Sequence, residues 1–458
     1  MSTATAQRPS RVSAPAAAEP ASGPGPFAVR AFLVLGSLTI LAFWWFGTSA
    51  SAGATPGAAM LSFGELAGLL GSFFVCAQVL LVARVPWFER AVGFDKLGSW
   101  HRTLGTTTIL MIGTHVLAMV LGAMLSAHST PWSAALSVYT GYPDLLKALL
   151  GTVVFVVVGM SSARLMRRNL SYESWFLIHV TIYGGIFLTF FHQISGGTHF
   201  IGSPIAKTAW LTMYAGTALS ILWYRIGCPV LDNLRMGLKV ENVVVEAKGT
   251  TSVWLRGSHI DRLDARGGQF FLVRFMSGRH IVTAHPYSMS MVPTADRLRF
   301  TIGAIGDHST AVRHLRPGTR VFIEGPFGRF TPDRSSRSRA LLIAGGVGIG
   351  PVRALAEELV GAGRDVVVLH RAHTSDRLAL SKEFPAADTL HYVPLPGRRR
   401  ELGYDPLHPR TRGRLVPDIR QRDVFICGPA AMTQTVAASA RALGVPRSAI
   451  HFEELSLS

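Results

Sequence analysis

Cysteine is scarce. The 458 residues hold three, Cys76, Cys228 and Cys427, far apart and with no C-x-x-C. That excludes a four-cysteine iron–sulfur cluster within the chain and a C-x-x-C-H haem attachment, and it argues against a disulfide framework. Acids are also few, 27 Asp and Glu against 45 Lys and Arg, for a formal net charge of +18. The basic residues form no single run or face, which argues against nucleic acid as a partner. They fit dispersed surface arginine and the positive-inside bias of a membrane protein. Nothing in the sequence names a protein partner.

Residues 1–26 are rich in Ala, Pro, Ser and Gly and read as a disordered tail. The first apolar run starts too late for a signal peptide and is followed by others. Six apolar stretches come next, roughly 29–48, 61–83, 100–125, 144–163, 174–194 and 206–227. Each suits the ~20 residues of a membrane-spanning helix. Together they predict a six-helix, multi-pass membrane domain over 27–228. Arg84, Arg90, Lys96 and Arg102 lie between spans two and three, and Arg164, Arg167 and Arg168 between spans four and five. The opposite loops, 49–60, 126–143 and 195–205, hold no Lys or Arg. The expectation is a cell-membrane protein with its N-terminus and everything after span six in the cytoplasm.

After about residue 230 the pattern changes to short β-like runs broken by Gly and Pro: Val243–Val245, Phe270–Phe275, Arg297–Ile302 and Arg320–Ile323. These predict a β-barrel over 232–335. Over 337–458, the runs Ala340–Ile343, Asp365–Leu369 and Asp423–Ile426 alternate with helical segments. That is the signature of an α/β domain with a parallel sheet, built to bind a dinucleotide.

Two of the apolar stretches carry two histidines each: His101 and His115 on span three, His179 and His192 on span five. An ionisable residue inside a membrane span is costly and points to function. A lone histidine there also reads as a hydrogen-bonded packing residue. Four at matched levels read as two pairs of axial ligands for two stacked haems, since separations of 14 and 13 residues both span roughly 20 Å of helix. At about 100° per residue, 14 steps nearly restore the same face and 13 do not. A bulge or kink at Gly184–Gly185 is the expected correction. His128 and His199, outside the spans, read as solvated loop residues.

Here the motifs become specific. HRTLG from His101, its partner His115, and W-x₃-H-x₃-Y-x₈-H-Q from Trp175 to Gln193 resemble the ferric reductase-like transmembrane domain shared by NADPH oxidases and metal reductases. His285-Pro286-Tyr287-Ser288 resembles the flavin motif of the ferredoxin–NADP reductase family. The resemblance implies FAD, with Tyr287 against the isoalloxazine, the Ser288 hydroxyl near N5, and His285 helping to hold the flavin. Gly306 and Ser309 resemble the loop that meets the FAD pyrophosphate; the family often has Lys or Arg where this chain has Gly303. Gly325-Pro-Phe-Gly328 resembles the turn near the flavin–nicotinamide contact. Gly345-Gly346-Val-Gly348-Ile-Gly350-Pro351 follows a strand and opens a helix, as a pyrophosphate site does. Cys427-Gly428-Pro429 resembles the motif beside the nicotinamide. On this reading Ser288 and Cys427 are the catalytic positions.

The strand Asp365–Leu369 runs into His370-Arg371 rather than an acid, which favours the 2′-phosphate of NADPH over NADH, with Arg371 first and Arg377 second as its contact. The family usually ends in an aromatic residue over the flavin. Here the end is HFEELSLS, placing Leu455 and Leu457 near that position. The resemblance implies an NAD(P)H-dependent flavocytochrome with FAD and two b-type haems, passing electrons across the membrane to dioxygen or to a ferric or cupric ion. The alternative is an electron-transfer module serving a quinone or a protein partner.

Overall fold

The computed structural model describes residues 26–455 other than 142–143, 282 and 386. Leu457 and almost all of the N-terminal tail lie outside the described residues. The helical half runs α1 (Pro26–Gly47), α2 (Pro56–Val82), α3 (Pro86–Val92), α4 (Phe94–Ala127), α5 (Pro131–Gly141), α6 (Leu145–Ser162), α7 (Arg164–Arg167), α8 (Tyr172–Val180), α9 (Ile182–Gly196), α10 (Pro204–Leu222) and α11 (Cys228–Met236). Among the described residues, five helical segments are long and apolar enough to cross a membrane: Phe27–Gly47, Pro56–Val82, Lys96–Ala127, Leu145–Ser162 and Ser174–Gly196. The sixth expected span folds as α10 and then a π-helical turn, Trp223–Gly227, that leads into α11. It is not one of the five.

Helix α2 sits at the centre of this half. Thr55 caps it by accepting from the Ala58 N–H, and Pro56 supplies its first turn. Its glycines Gly57, Gly64 and Gly68 face α4: a Cβ would lie 2.8 Å from the Ser126 nitrogen, 3.1 Å from the Met119 sulfur and 2.7 Å from His115 Nδ1, respectively. Small residues bring the two backbones together, as membrane helices require where there is no hydrophobic drive between them. Helices α6 and α9 meet the same way, for a Cβ on Gly151 would lie 2.8 Å from the Gly185 carbonyl.

The fifth span is broken, but at Thr181 rather than at the expected Gly184–Gly185. The Thr181 hydroxyl donates to the Ile178 carbonyl at 2.7 Å, and its N–H donates to the same carbonyl at 3.2 Å. A threonine bonding back onto the preceding turn bends a helix. Gly185 is instead a packing residue.

In the C-terminal half, β1 (Lys239–Ala247), β2 (Thr250–Arg256), β3 (Phe270–Phe275), β4 (His285–Ser288), β5 (Arg297–Gly303) and β6 (Val321–Phe327) form two antiparallel sheets, β1-β2-β5 and β4-β3-β6. Single bridges link them, Met289 to Phe300 and Lys239 to Arg320. One apolar core, including Leu255, Phe271, Phe300 and Ile323, lies between them. Helix α12 (Asp307–Ala311) follows β5. Then β7 (Arg339–Gly345), α13 (Ile349–Gly361), β8 (Asp365–Arg371), β9 (Leu390–Leu395), α14 (Arg399–Leu402), α15 (Pro409–Leu415), β10 (Asp423–Gly428), α16 (Ala430–Ala442) and β11 (Ile450–Glu454) build a parallel sheet, ordered β11-β10-β7-β8-β9. Apolar clusters cover both of its faces, as a parallel sheet requires.

His370, on β8, is wholly buried in this sheet and its Nδ1 lies 3.0 Å from the Tyr392 hydroxyl. Burial pushes its pKa down to about 4, so the native state holds it neutral. Its contribution is therefore present above the ordinary value of about 6.5 and is lost as pH falls from there towards 4, by about 1.4 kcal/mol per unit. Unfolding midpoints measured between pH 7 and 4.5 should fall steeply for the wild type. They should fall less for His370→Gln, which keeps a partner for Tyr392 without titrating.

Candidate functional site

The four span histidines come together as two pairs. The ring centres of His101 and His179 are 6.0 Å apart, and those of His115 and His192 are 6.3 Å apart. Two imidazoles facing one metal, each nitrogen about 2 Å from it, place their ring centres about 6 Å apart. His101 Nδ1 lies 3.1 Å from the Gln78 carbonyl and His115 Nδ1 lies 2.8 Å from the Gly64 carbonyl. A carbonyl only accepts, so Nδ1 carries the proton in both rings, and Nε2 keeps its lone pair for a metal. His179 Nδ1 lies 3.3 Å from the Ser162 hydroxyl, and Trp175 stacks on its ring at 5.0 Å. No group of three or more His, Cys, Asp or Glu converges among the described residues. Two-imidazole sites suit a metal that brings its other ligands with it, as the iron of a porphyrin does.

Histidines outside the pairs divide. His128 is exposed, as expected. His199 is not the solvated residue expected: its side chain is 5% exposed, with Nδ1 3.7 Å from Glu65 Oε2. Thr198 donates to the same carboxylate at 2.9 Å.

In the C-terminal half the expected motifs gather at two places. On β4, His285 and Tyr287 lie half-buried, and burial pushes the Tyr287 hydroxyl up to about 12. The His285 ring is 4.7 Å from that of His308. Ser309 Oγ accepts from the Ile305 and Gly306 N–H groups at 3.0 and 2.9 Å, so its hydroxyl shapes the loop before α12. Gly325 and Gly328 have φ of +146° and +99°, which favour glycine.

The second place is the carboxyl edge of the parallel sheet. The chain runs outward from β7 through β8 to β9, then returns to β10 on the other side. The gap between β7 and β10 is the topological switch point, where such sheets bind ligands. Gly345 ends β7, Gly346 turns with φ +56°, and Cys427-Gly428-Pro429 ends β10 beside them. A Cβ on Gly428 would lie 3.3 Å from the Gly345 Cα. Gly348 sits so close to Cys427 that a Cβ would strike its carbonyl. Gly350 and Pro351 open α13. Arg371 pairs in register with Gly345, and its Nη1 donates to the Leu395 carbonyl at 2.8 Å and to that of Ala372. Leu455 donates its N–H to the Gly428 carbonyl at 3.0 Å, bringing the C-terminus to this edge.

A buried network that sequence reading missed holds the two places together. Arg299 on β5, its side chain 2% exposed, donates to both carboxylate oxygens of Glu383, at 2.5 and 2.8 Å. It also donates to the Ser290 hydroxyl and carbonyl at 2.9 and 2.7 Å. Arg353 on α13 reaches the same carboxylate at 2.9 Å. Glu358 joins the lobes again, accepting from Arg266 at 2.5 Å and from the Gly267 N–H at 2.7 Å.

Known proteins resemble this chain in two parts. Residues 67–190 match the family described as ferric reductase like transmembrane component. That segment holds His101, His115 and His179, and ends two residues before His192. The ferredoxin reductase component of 3-ketosteroid-9-alpha-monooxygenase from Mycolicibacterium smegmatis is 29% identical over 47% of this chain and 64% of that protein. A flavohemoprotein from Halalkalibacterium halodurans is 24% identical over 46% of this chain and 58% of that protein. The chain thus spans about three-fifths of the length of these curated relatives. Among solved structures, the ferredoxin reductase in carbazole 1,9a-dioxygenase covers 48% of this chain and 69% of its own at 21% identity and TM-score 0.42. A ferredoxin NADP+ reductase from Neisseria gonorrhoeae covers 47% and 97% at 18% identity and TM-score 0.40. The two-part resemblance drawn from the motifs is borne out: a ferric reductase-like helical segment joined to a C-terminal half akin to ferredoxin reductases and flavohemoproteins.

Cys427 is wholly buried, and burial raises its thiol well above the ordinary range. The thiolate is the reactive form, so Cys427 should resist N-ethylmaleimide in the folded protein at pH 8 and react fully once denatured. Peptide mass spectrometry reads the difference. Rapid labelling of the folded protein would mean that the strand end is open.

Proposed function

We propose that this chain is a transmembrane NAD(P)H oxidoreductase of the flavocytochrome type. It would accept hydride from cytoplasmic NADPH and deliver single electrons to an acceptor on the far side of the membrane. The observation that carries this reading is the pair of facing histidine couples, 6.0 and 6.3 Å across, in one chain with a dinucleotide switch point. When bound, FAD converts a two-electron hydride into single electrons, and two b-type haems carry them through the bilayer.

The residues supply position rather than acid–base chemistry. His101 with His179, and His115 with His192, would each grip one iron through Nε2, with the Gln78 and Gly64 carbonyls fixing the His101 and His115 rings. Tyr287, neutral across the working pH range, would lay its ring on the flavin, with Ser288 in hydrogen-bond reach of N5. Gly345, Gly346 and Gly348 would let backbone N–H groups approach the pyrophosphate at the start of α13. Cys427, a buried neutral thiol, would pack beside the nicotinamide and neither give nor take a proton. Arg299 and Glu383 would keep the two lobes aligned for hydride transfer, where geometry is most of the catalysis.

The same reading completes the helical domain with α10 as sixth span and puts both termini in the cytoplasm. The loops 49–60, 126–143 and 195–205 then face outward, and none holds a charged residue. They steer an ion of neither sign by charge, and the acceptor on this reading is dioxygen or a ferric or cupric ion.

Purified protein should carry two haems per chain, extractable by acid and organic solvent. His192→Leu should remove one and leave the flavin reducible by NADPH. His179→Leu should remove the other. Reduced spectra identical to wild type in both variants would dismiss these ligands.

Arg371 tests the nucleotide. A charge-assisted contact to the 2′-phosphate is worth about 1.5–3 kcal/mol. Arg371→Ala should therefore raise KM for NADPH roughly tenfold to a hundredfold and leave NADH nearly unchanged. A wild-type preference for NADH would remove the assignment.

A further inference from the structure

Arg84 stands just beyond the end of α2. It adopts φ +63°, a left-handed conformation that a non-glycine residue seldom holds without a reason. Its side chain is 9% exposed, and it forms an ion pair with Glu324 on β6, itself 17% exposed. The same guanidinium lies over the Phe327 ring, 5.2 Å from its centre. Glu324 and Phe327 flank Gly325 and precede Gly328, the turn placed above near the flavin–nicotinamide contact. Arg84 thus touches that turn from both ends.

Neighbouring contacts repeat the theme. Ile323, one residue before Glu324, trades hydrogen bonds with Asn233 of α11: its N–H donates to Oδ1 at 2.8 Å and its carbonyl accepts from Nδ2 at 2.7 Å. Arg329, just past the turn, donates to the Ala91 and Val92 carbonyls at 3.5 and 3.4 Å, at the C-terminal end of α3. Cations are favoured there. Three points along β6 and its turn are therefore fixed to three separate helical elements. Two of those elements lead to the inner histidine pair. Arg84 is six residues past Gln78, whose carbonyl holds His101, and α4 begins directly after the α3 end that Arg329 grips.

We infer that Arg84 is a positioning residue, which through Glu324 and Phe327 fixes the Gly325–Gly328 turn against the helical domain and so sets the step from the flavin side to the His101–His179 pair. This rests on the flavocytochrome reading above. Each NADPH oxidised to NADP+ gives up two electrons and releases one proton, and two one-electron acceptors are reduced across the membrane. The first half of that balance, hydride leaving NADPH, depends on the alignment of the two C-terminal lobes, which Arg299, Arg353 and Arg266 hold without Arg84. The second half depends on a fixed spacing between the turn and α4, which no local feature of either domain supplies. The role assigned to the pair is orientation, since a buried ion pair is weak evidence for stability.

The test uses the full-length protein in nanodiscs with Arg84→Met, which keeps bulk and removes charge, and Glu324→Gln. Stopped-flow spectroscopy should show flavin reduction by NADPH and NADPH-driven ferricyanide reduction at wild-type rates. Reduction of the haem absorbance should be at least tenfold slower at unchanged haem content. Hydrogen exchange should rise in 324–329. The exchanged pair, Arg84→Glu with Glu324→Arg, should recover part of the rate. Haem reduction at the wild-type rate in both single variants would overturn the proposal. So would an equal loss of ferricyanide reduction, which would mark a misfolded flavin lobe. A wild-type protein with no haem would instead overturn the flavocytochrome reading. The exchange measurement would still judge the contact, supported if protection of 324–329 falls in Arg84→Met and refuted if it does not.

Discussion

Two hydrogen bonds set the frame on which the helical half depends. His101 reaches the Gln78 carbonyl and His115 the Gly64 carbonyl. Gly64 and Gln78 are 14 residues apart on α2, and His101 and His115 are 14 apart on α4, running the other way. The register of the two helices is thus pinned at two levels roughly 21 Å apart. The glycine face of α2 permits it, because a Cβ at Gly68 would occupy the place of the His115 ring. One helix, buried and nearly without charge, fixes where both imidazoles of another point. Span five meets them from the other side, with His179 before the break at Thr181 and His192 after it.

The C-terminal half solves a similar problem with charge instead of small residues. Its two lobes meet across Arg299–Glu383, Arg353–Glu383 and Arg266–Glu358. Each carboxylate comes from the nucleotide lobe. Glu383 satisfies two guanidinium groups at once, which recovers more of the desolvation cost than a lone buried pair does. The Arg299 fork also holds Ser290, two residues after Ser288. The flavin strand and the nucleotide lobe are therefore joined by a network whose members are all hydrogen-bonded, the condition under which buried polar groups give a unique geometry.

How much of this was legible depends on whether the signal was local. The histidine levels were legible, since helical rise converts residue counts directly to depth. The glycine-rich turn and C-G-P were legible as well, because each is bound to a strand end. The position of the break in span five was not. Gly184–Gly185 looked like the flexible point, yet the helix breaks three residues earlier, at Thr181. Strand β2 was hidden by its polar residues. Ser252 looks like loop until its hydroxyl is seen 2.9 Å from that of Thr301, inside the sheet pair. Arg299 reads as surface because its partner lies 84 residues away. His199 reads as a loop histidine until Glu65, 134 residues earlier, is found beside it. Long-range pairing leaves no trace in a local pattern.

The charge balance shows the same limit from another side. A surplus of 18 positive charges invites a reading of arginine as solvated surface. With 27 acids for 45 basic residues, acids are the limiting partner, and several stand at junctions between parts: Glu324 between the helical and flavin regions, Glu358 and Glu383 between the two lobes. An exposed pair contributes little, so an acid placed on open surface would add almost nothing to the fold. Placed at a junction, it pairs a guanidinium that packing has partly withdrawn from water, and removing one partner of such a pair is among the costlier defects a protein can carry. A fold that must hold separate parts in one line gains more from a few such contacts than from a balanced surface.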